Sequence, residues 1–545
     1  MNHRIWSAVL IALASLLLLG AAVAMAQSPG APAQLDQPAP LSASVTTTPA
    51  YTYTTVITVT SGADPDDSLS KRCSTEAVCT LRRAIVDTRW LSAGELPVLI
   101  KFDIPVSDAS YNPGPGIWKI EVYPTTDLAI FRSLMSKVII DGDTQPGGRA
   151  EGPKIFIVGP TTGQKTGLIV GENATHRDNV IRGLAFQNLR THLTVNSINT
   201  LIENNWFGLN DAGTAPYLRN DDPEDGSGNA GISFNGSPTD CIVRNNVFLG
   251  FDGVAAAIRG ENNLFQNNYV GTRADGTVDK QTTPNLICTP VDWLGGGGIS
   301  VEGDTHRVED NLFAGLRQEI SQTSTQPEAI GIDGDGHVVQ DNRIGVDSSA
   351  AEVGVCGRGV YLSGADTPEF TQVLSNTIVN SELSAISVNG ALVDANTLHN
   401  NIIKKATDWP QIQGNPEAED AIQFGPSVPD ALRDFNPAKV TSIDGTTVTG
   451  NSGTNSPCPN CFIELYLDDA DSVVEALQLL GVTTAGSNGE WTATISAELG
   501  NGQGIRTTST TAQYNTIPNM SAGTTTKLSD LYSSEIAVFL PFVIR

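Results

Sequence analysis

The chain has 545 residues, 40% of them apolar and only 6% aromatic, enough to bury a large core and, by length alone, to form two or three domains. Its formal charge of −27, from 59 acidic and 32 basic residues, argues against a nucleic-acid partner, because phosphates would be repelled. An acidic surface favours cations such as calcium, and it equally serves solubility.

Residues 1–26 read as a secretory signal peptide. Arg4 precedes an apolar run from Ile5 to Leu19, and Ala24-Met25-Ala26 forms a small-x-small cleavage site before Gln27. The run is short for a membrane anchor and no stop-transfer charges follow, so the mature chain is expected to be exported, without a transmembrane segment, as a secreted or cell-surface protein. Residues 27–54, rich in Pro, Ala, Ser and Thr, read as a disordered leader. In residues 55–100, Val56 to Val59 opens a strand, and Cys79-Thr80-Leu81-Arg82-Arg83-Ala84-Ile85 predicts a short amphipathic helix with Thr80 as N-cap.

Early strands are expected at Val98–Ile104, Ile117–Val122, Val138–Ile140, Ile155–Val158, Leu168–Val170 and Val180–Phe186. From Ile202 onward a phrase recurs seven times: an apolar residue, two mostly polar residues, Asn, any residue, apolar. Its Asn residues are Asn205, Asn246, Asn268, Asn311, Asn342, Asn376 and Asn396, at steps of 41, 22, 43, 31, 34 and 20 residues. A second phrase, small-apolar-any-apolar, lies between them, as in Gly231-Ile232-Ser233-Phe234 and Gly359-Val360-Tyr361-Leu362. From that phrase to the next Asn the distance is nearly constant, at 11 to 17 residues, whereas the other leg varies from 9 to 30.

The shortest turns, 20 and 22 residues, fit one rung of a parallel β-helix. Asn suits its turn, tolerating left-handed backbone and able to donate and accept along a column of stacked amides. In Asp141-Gly142 and Arg182-Gly183 a Gly is expected at the same turn. The solenoid is expected over residues 101–436, with its last rung near Phe424, and the helix of residues 55–100 as its N-terminal cap.

The stretch Cys79 to Ile85 is similar to the Cys-Ser-Leu-Arg-Glu-Ala-Ile signature of the CSLREA-domain family of secreted bacterial proteins. Asp141-Gly142-Asp143-Thr144-Gln145-Pro146-Gly147 resembles a phrase that often follows it. Thr80 and Arg83 depart from the usual Ser and Glu. The resemblance implies a right-handed parallel β-helix, all-β and pectate-lyase-like, and implies no particular activity.

Residues 437–520 change pattern. Candidate strands at Thr446–Gly450, Phe462–Leu467, Trp491–Ile495 and Ile505–Thr511, with Asn488-Gly489 as a turn, predict a C-terminal β-sandwich resembling immunoglobulin-like modules. Residues 521–545 read as a tail whose apolar end is a last strand or an anchoring segment, too short to span a bilayer.

Seven cysteines in an exported chain suggest disulfides with one thiol over. Cys73 with Cys79 and Cys458 with Cys461 are the local pairs; Cys288 with Cys356 is the third, leaving Cys241 free. A zinc or redox role for Cys458-Pro459-Asn460-Cys461 lacks both a second half-site and a thioredoxin-like context.

All long insertions share one leg and so pile up on one side of the solenoid: residues 209–230, 272–297, 316–329, 346–358 and 405–420. They carry acids, including Asp221, Asp222, Asp225, Asp275, Glu328, Asp347 and Asp420, with the aromatics Tyr217, Trp293 and Trp409. Carboxylates beside exposed rings are what a carbohydrate site requires. Tyr217, Asp221, Asp222, Asp225, Trp293 and Trp409 are therefore the candidate ligand-binding residues. No metal or cofactor motif is found; the acids Asp221, Asp222 and Asp225 are a candidate calcium cluster, although Pro223 and Ile232 break an EF-hand reading.

A polysaccharide lyase on this fold would use such acids with an Arg or Lys base, for which Arg219, Arg273, Lys280, Arg317 and Arg358 are available. A hydrolase would need two or three converging carboxylates. No catalytic motif is found. The expectation is a secreted or surface β-helix binding carbohydrate or another surface polymer through its loop-bearing face. The alternatives are a lyase or hydrolase acting on acidic polysaccharide, and a structural envelope or adhesion protein.

Overall fold

The computed structural model describes residues 52–65, 71–123, 129–160, 165–217, 230–251, 253–278, 297–316, 328–363, 369–391, 393, 395–406, 420–452, 458–469, 471–512 and 521–533. The expected signal peptide, most of the leader and the apolar end of the tail lie outside these residues. No helix among them is long and apolar enough to cross a membrane.

From Thr55 to Phe424 the chain winds through three sheets, visited in the same order on each rung from Val138 onward. Among the described residues the first sheet has 11 strands, the second 11 and the third 9. Pairing is parallel throughout, apart from Tyr111–Asn112 at one edge. Parallel connections within a sheet take the right-handed sense, so this is the expected right-handed parallel β-helix.

Inward residues stack on their own counterparts one rung away. Val243 pairs with Phe265 and Phe265 with Val308. Phe186, Phe207 and Phe248 lie face to face at 5.2 and 4.9 Å. Each ring is thereby covered on both faces by apolar neighbours, which explains how a chain with few aromatics fills so long a core.

The Asn phrase marks the corner between the first and second sheets, and two adjacent residues divide the work. The residue before the Asn holds the left-handed backbone: Asn204, Asn245, Asn267, Asp310, Asp341, Ser375 and Asn400 have φ between 53° and 57°. The Asn itself points inward. Asn205, Asn246, Asn268, Asn311 and Asn342 each donate through Nδ2 to Oδ1 of the next at 3.0–3.1 Å, and their backbone N–H groups donate to the same oxygens.

The seventh member differs from expectation. Asn376 continues the ladder to Asn401, whereas Asn396 opens the first-sheet strand Thr397–His399 and accepts the backbone N–H of Thr371. The 20-residue step therefore joined two different corners.

The corner between the third and first sheets is built in the same manner. Asn179, Cys241, Asn263, His306, His337, Thr371 and Asn396 each stand just before a first-sheet strand. Along this second column Asn263 Oδ1, His306 Nδ1 and His337 Nδ1 accept the N–H of the residue one rung below, at 2.8, 3.1 and 3.2 Å. Gly183 takes the left-handed turn as expected (φ 66°). Gly142 does not: it opens the 3-10 turn Gly142–Thr144, and its lack of a Cβ answers a close approach, since a Cβ would lie 2.1 Å from Gly183 O.

The N-terminal helix Leu81–Thr88 has Thr80 as its N-cap, accepting from Arg83 N, and buries Leu81, Ala84 and Ile85 in the solenoid core. Arg82 holds Asp64 through two bonds of 2.7 and 2.6 Å and reaches Ile130 O at 2.6 Å. Gln145, from the second resembling phrase, bonds both N–H and C=O of Ile104 at 2.9 Å. Both phrases thus pin the first rungs together.

After the short helix Asp430–Arg433, seven strands form two antiparallel sheets, of three and four strands, around Val448, Ile463, Leu465, Trp491 and Ile505. Lys439–Asp444 and Gln478–Thr484 join the four strands expected from sequence. Residues 521–533 pack rather than trail as a tail: Thr524 and Thr525 hydroxyls accept from Ala395 and Leu398 N–H, and Tyr532–Ser533 is the last strand. Glu464 accepts from Asn400 N and Glu475 from Lys405 N, so the sandwich closes the open end of the solenoid.

Cys73–Cys79 and Cys458–Cys461 are disulfides, and Cys241 is free and buried. Cys356 is disulfide-bonded; Cys288, its expected partner, lies outside the described residues.

Candidate binding face

The long excursions leave the second sheet and return on the third. Three of them begin with a fixed turn. Residues 210–215, 273–277 and 347–351 fold back over an apolar stripe on the outside of the second sheet, formed by Trp206, Val247, Tyr269 and Leu312. Ala274 N donates to Gly213 O at 2.9 Å and Ser348 N to Gly276 O at 3.0 Å, so the turns bond to one another along the axis. Gly213 has φ 72°, and a Cβ there would lie 2.6 Å from the Trp206 ring.

This organisation settles two loop acids as structural. Asp275 accepts from Thr277 N and Oγ1, and Asp347 from Ser349 N and Ala351 N. Each carboxylate pins its own turn.

The returning chain enters the third sheet beside a flat outer face. Along it, in register, run Thr194, Ser233, Ala257, Ser300, Gly331, Tyr361, Ser387 and Gln423. Small residues dominate this column, its large side chains are Tyr361 and Gln423, and Gly331 and Ser387 within it are buried.

Glu328 and Arg358 are direct partners in adjacent strands at the edge where the excursions return. The Glu328 carboxyl lies over Gly331, where a Cβ would stand 2.8 Å from Oε1. Gly331 therefore leaves room for this carboxyl, which covers the column at that rung. Arg358 stacks its guanidinium 4.2 Å above the Tyr361 ring, and the Tyr361 hydroxyl accepts from Asn389 Nδ2 at 3.4 Å. Burial pushes Glu328 up to about 7, against the opposing pull of Arg358. Near neutral pH its carboxyl can then either donate or accept a hydrogen bond. Beyond Glu328 the face carries Arg259 and Glu302, joined at 2.8 Å.

Of the residues expected to bind ligand, Tyr217 is half-buried and its N–H donates to Gly208 O at 2.7 Å. Asp221, Asp222, Asp225, Trp293 and Trp409 lie outside the described residues, as do the candidate bases Arg219, Lys280 and Arg317. Arg358 is in the face just described. Tyr361 was missed, although it occupies the free position of Gly359-Val360-Tyr361-Leu362, which the strand alternation turns outward; Gly331, which reads as the small residue opening its own phrase, pairs with Tyr361 and so stands at the free position instead. A Tyr there, among Ser, Ala and Gly, is the available signal.

Elsewhere Asp468, Asp469 and Glu475 bring carboxylate oxygens within 4.8 Å of one another. Asp468 is paired with Arg506 and Glu475 with Lys405 N, so these acids serve the closure of the solenoid.

No known protein family and no curated protein matches the chain. Solved structures do match in part. Pectate lyase Pel9A shares 11% identity over 68% of this chain and 82% of its own, with a TM-score of 0.31. Endopolygalacturonase I from Stereum purpureum shares 14% over 68% and 93%, with a TM-score of 0.20. Tailspike protein 2 from an Escherichia coli O157:H7 bacteriophage shares 9% over 81% and 64%, with a TM-score of 0.29.

Proposed function

We propose that this is a secreted or cell-surface β-helix protein of the CSLREA kind, which binds carbohydrate or another extracellular polymer on its loop-bearing side. One observation carries the reading. The long excursions leave the second sheet and return on the third, beside an outer face that carries Thr194, Ser233 and Ser300 and the Tyr361 ring. A polymer laid on such a face meets hydroxyl partners beside the edge where the excursions return. Binding of the purified protein to a glycan array tests this; no binding to any extracellular polymer would sink it.

A second reading, a polysaccharide lyase or hydrolase, is supported by Glu328. A carboxyl pushed up to about 7 by partial burial beside Arg358 is suited to proton transfer. Reducing-sugar and unsaturated-product assays on the bound glycan test it, and silence in both removes it.

A further inference from the structure

We infer that two copies of this chain join through the bare edge of the first sheet, the strand Thr55–Val59 of one copy running antiparallel to the same strand of the other. Such a join lies at the N-terminal end of the solenoid and does not depend on what the loop-bearing side binds.

Each sheet of a solenoid ends in an edge whose unpaired N–H and C=O groups can take up another strand. The sandwich closes the C-terminal end. At the N-terminal end two of the three edges are blunted. On the second sheet Tyr111–Asn112 turns back antiparallel. On the third, Ile130 N and Leu134 N donate to Thr166 O and Ile169 O at 3.0 and 2.8 Å. The first sheet ends differently: among the described residues Thr55–Val59 pairs with Val98–Phe102 on one side and with no strand on the other. Thr55 N donates to Pro97 O and Val59 O accepts from Asp103 N, so the alternation turns the N–H and C=O of Val56 and Thr58 to the bare side. The strand Thr-Val-Ile-Thr-Val carries no charge, no Pro and no bulge, the usual guards of such an edge. Val56 is 44% exposed, against 7% and 3% for Leu99 and Ile139, which follow it in register.

The surroundings are apolar. Of the eight exposed large apolar side chains among the described residues, six lie in the cap and first rung: Tyr53, Val56, Val78, Trp90, Val106 and Tyr123. Charge and symmetry point to a second copy as the occupant. Residues 1–190 hold 16 basic and 16 acidic side chains and residues 191–545 hold 16 and 43, so the whole excess of −27 lies beyond residue 190. Copies meeting at their N-terminal ends keep those excesses apart, whereas contact side by side would oppose them. A two-fold axis through Ile57 sets Val56 opposite Thr58 of the second copy. Each such pair exchanges N–H and C=O in an antiparallel ladder, and the contact is self-complementary.

Sedimentation velocity of the full mature chain over a dilution series tests this. Twice the chain mass is expected, falling to the single mass on dilution. Val56→Lys sets like charges beside the axis, and Thr58→Pro removes a donor that faces only the bare side. Each should abolish the dimer with an unchanged circular dichroism spectrum, whereas Val482→Lys, at an exposed apolar position of the sandwich, should leave it intact. Hydrogen exchange gives a second readout: the Val56 and Thr58 N–H groups should be protected in the parent and exchange in Val56→Lys. A parent that is monomeric at every concentration overturns the inference. Protection of those two groups in that monomer would assign the edge to another part of this chain, residues 27–51 being the nearest. A dimer that survives both Val56→Lys and Thr58→Pro overturns the location.

Discussion

Asn268 gives two hydrogen bonds to one atom of Asn311: its backbone N–H and its Nδ2 both donate to Oδ1, at 2.9 and 3.1 Å. The pair is buried and sits mid-ladder, so neither group can turn to water instead. Asn311→Ala leaves the Asn268 N–H without a partner and also removes the donor to Phe265 O. A loss of roughly 2–4 kcal/mol is expected in urea unfolding. Asn267→Gly, at the left-handed position next door (φ 53°), should be nearly neutral. Equal effects from the two would contradict the division of labour within the Asn phrase.

His337 is a turn pin rather than a chemical group. Its Nδ1 accepts the N–H of His306, and burial lowers its pKa to about 3. Because Asn263 does the same work in this column, His337→Asn should keep most of the stability and His337→Ala should lose about 1–3 kcal/mol. The folded state holds this ring neutral while the unfolded chain protonates it below about 6.5. Its contribution is thus complete above that value and is lost as pH falls toward 3. Melting His337→Asn across that window should reveal a flatter acid limb than the parent.

Glu464 titrates in the opposite sense. It is buried between sandwich and solenoid, accepting from Asn400 N and the Tyr466 hydroxyl, and burial raises its pKa to about 7. The folded state favours the protonated acid, so its contribution is complete below the unfolded value near 4.5 and lost as pH rises through 7. Glu464→Gln should make melting less sensitive to pH between 4.5 and 7. An unchanged pH profile would show that another group controls this end.

Arg82 ties the cap helix to two other segments through Asp64 and Ile130 O, with only 8% of its side chain exposed. Arg82→Ala strands a buried carboxylate and should cost about 3–5 kcal/mol. Thr80→Ala removes one N-cap bond and should cost about 1 kcal/mol. Thermal denaturation of the two variants ranks them.

Cys241 lies in the His337 column, fully buried, with its thiol pushed up to about 11 by burial. Ellman's reagent should find no thiol in the native chain and one per chain after denaturation without reductant. Three thiols instead would mean that Cys288 and Cys356 are not joined.

Much of the solenoid is legible because its signal is repeated. Left-handed turns and inward pins each demand a narrow set of residues, and one leg cannot lengthen without breaking the stack. Asn396 misled because two corners share the same physics: an Asn after a left-handed residue reads alike at both, and only the partner, Thr371 N or Asn376, tells them apart. The second column stayed hidden because Thr, Cys, Asn and His all fill it, so no single letter repeats. The face with Tyr361 was overlooked for a related reason. Loops rich in acids and aromatics carry a strong composition signal, whereas the outer positions of a sheet carry a weak one, and an isolated Tyr gains meaning only once its neighbours in register are known to be small.

The bonded turns at Gly213 and Gly276 have a practical consequence for engineering. Since the excursion after Leu209 is held at its start by the turn of residues 210–215 and at its end by the strand Ala230–Phe234, the span between Tyr217 and Ala230 is a socket with both lips fixed. A foreign loop or small domain inserted there bears only a closure cost that grows slowly with length. Exchanging one such span, while leaving Asn210 to Thr214 and Ala230 to Phe234 untouched, should graft new specificity without disturbing a single rung.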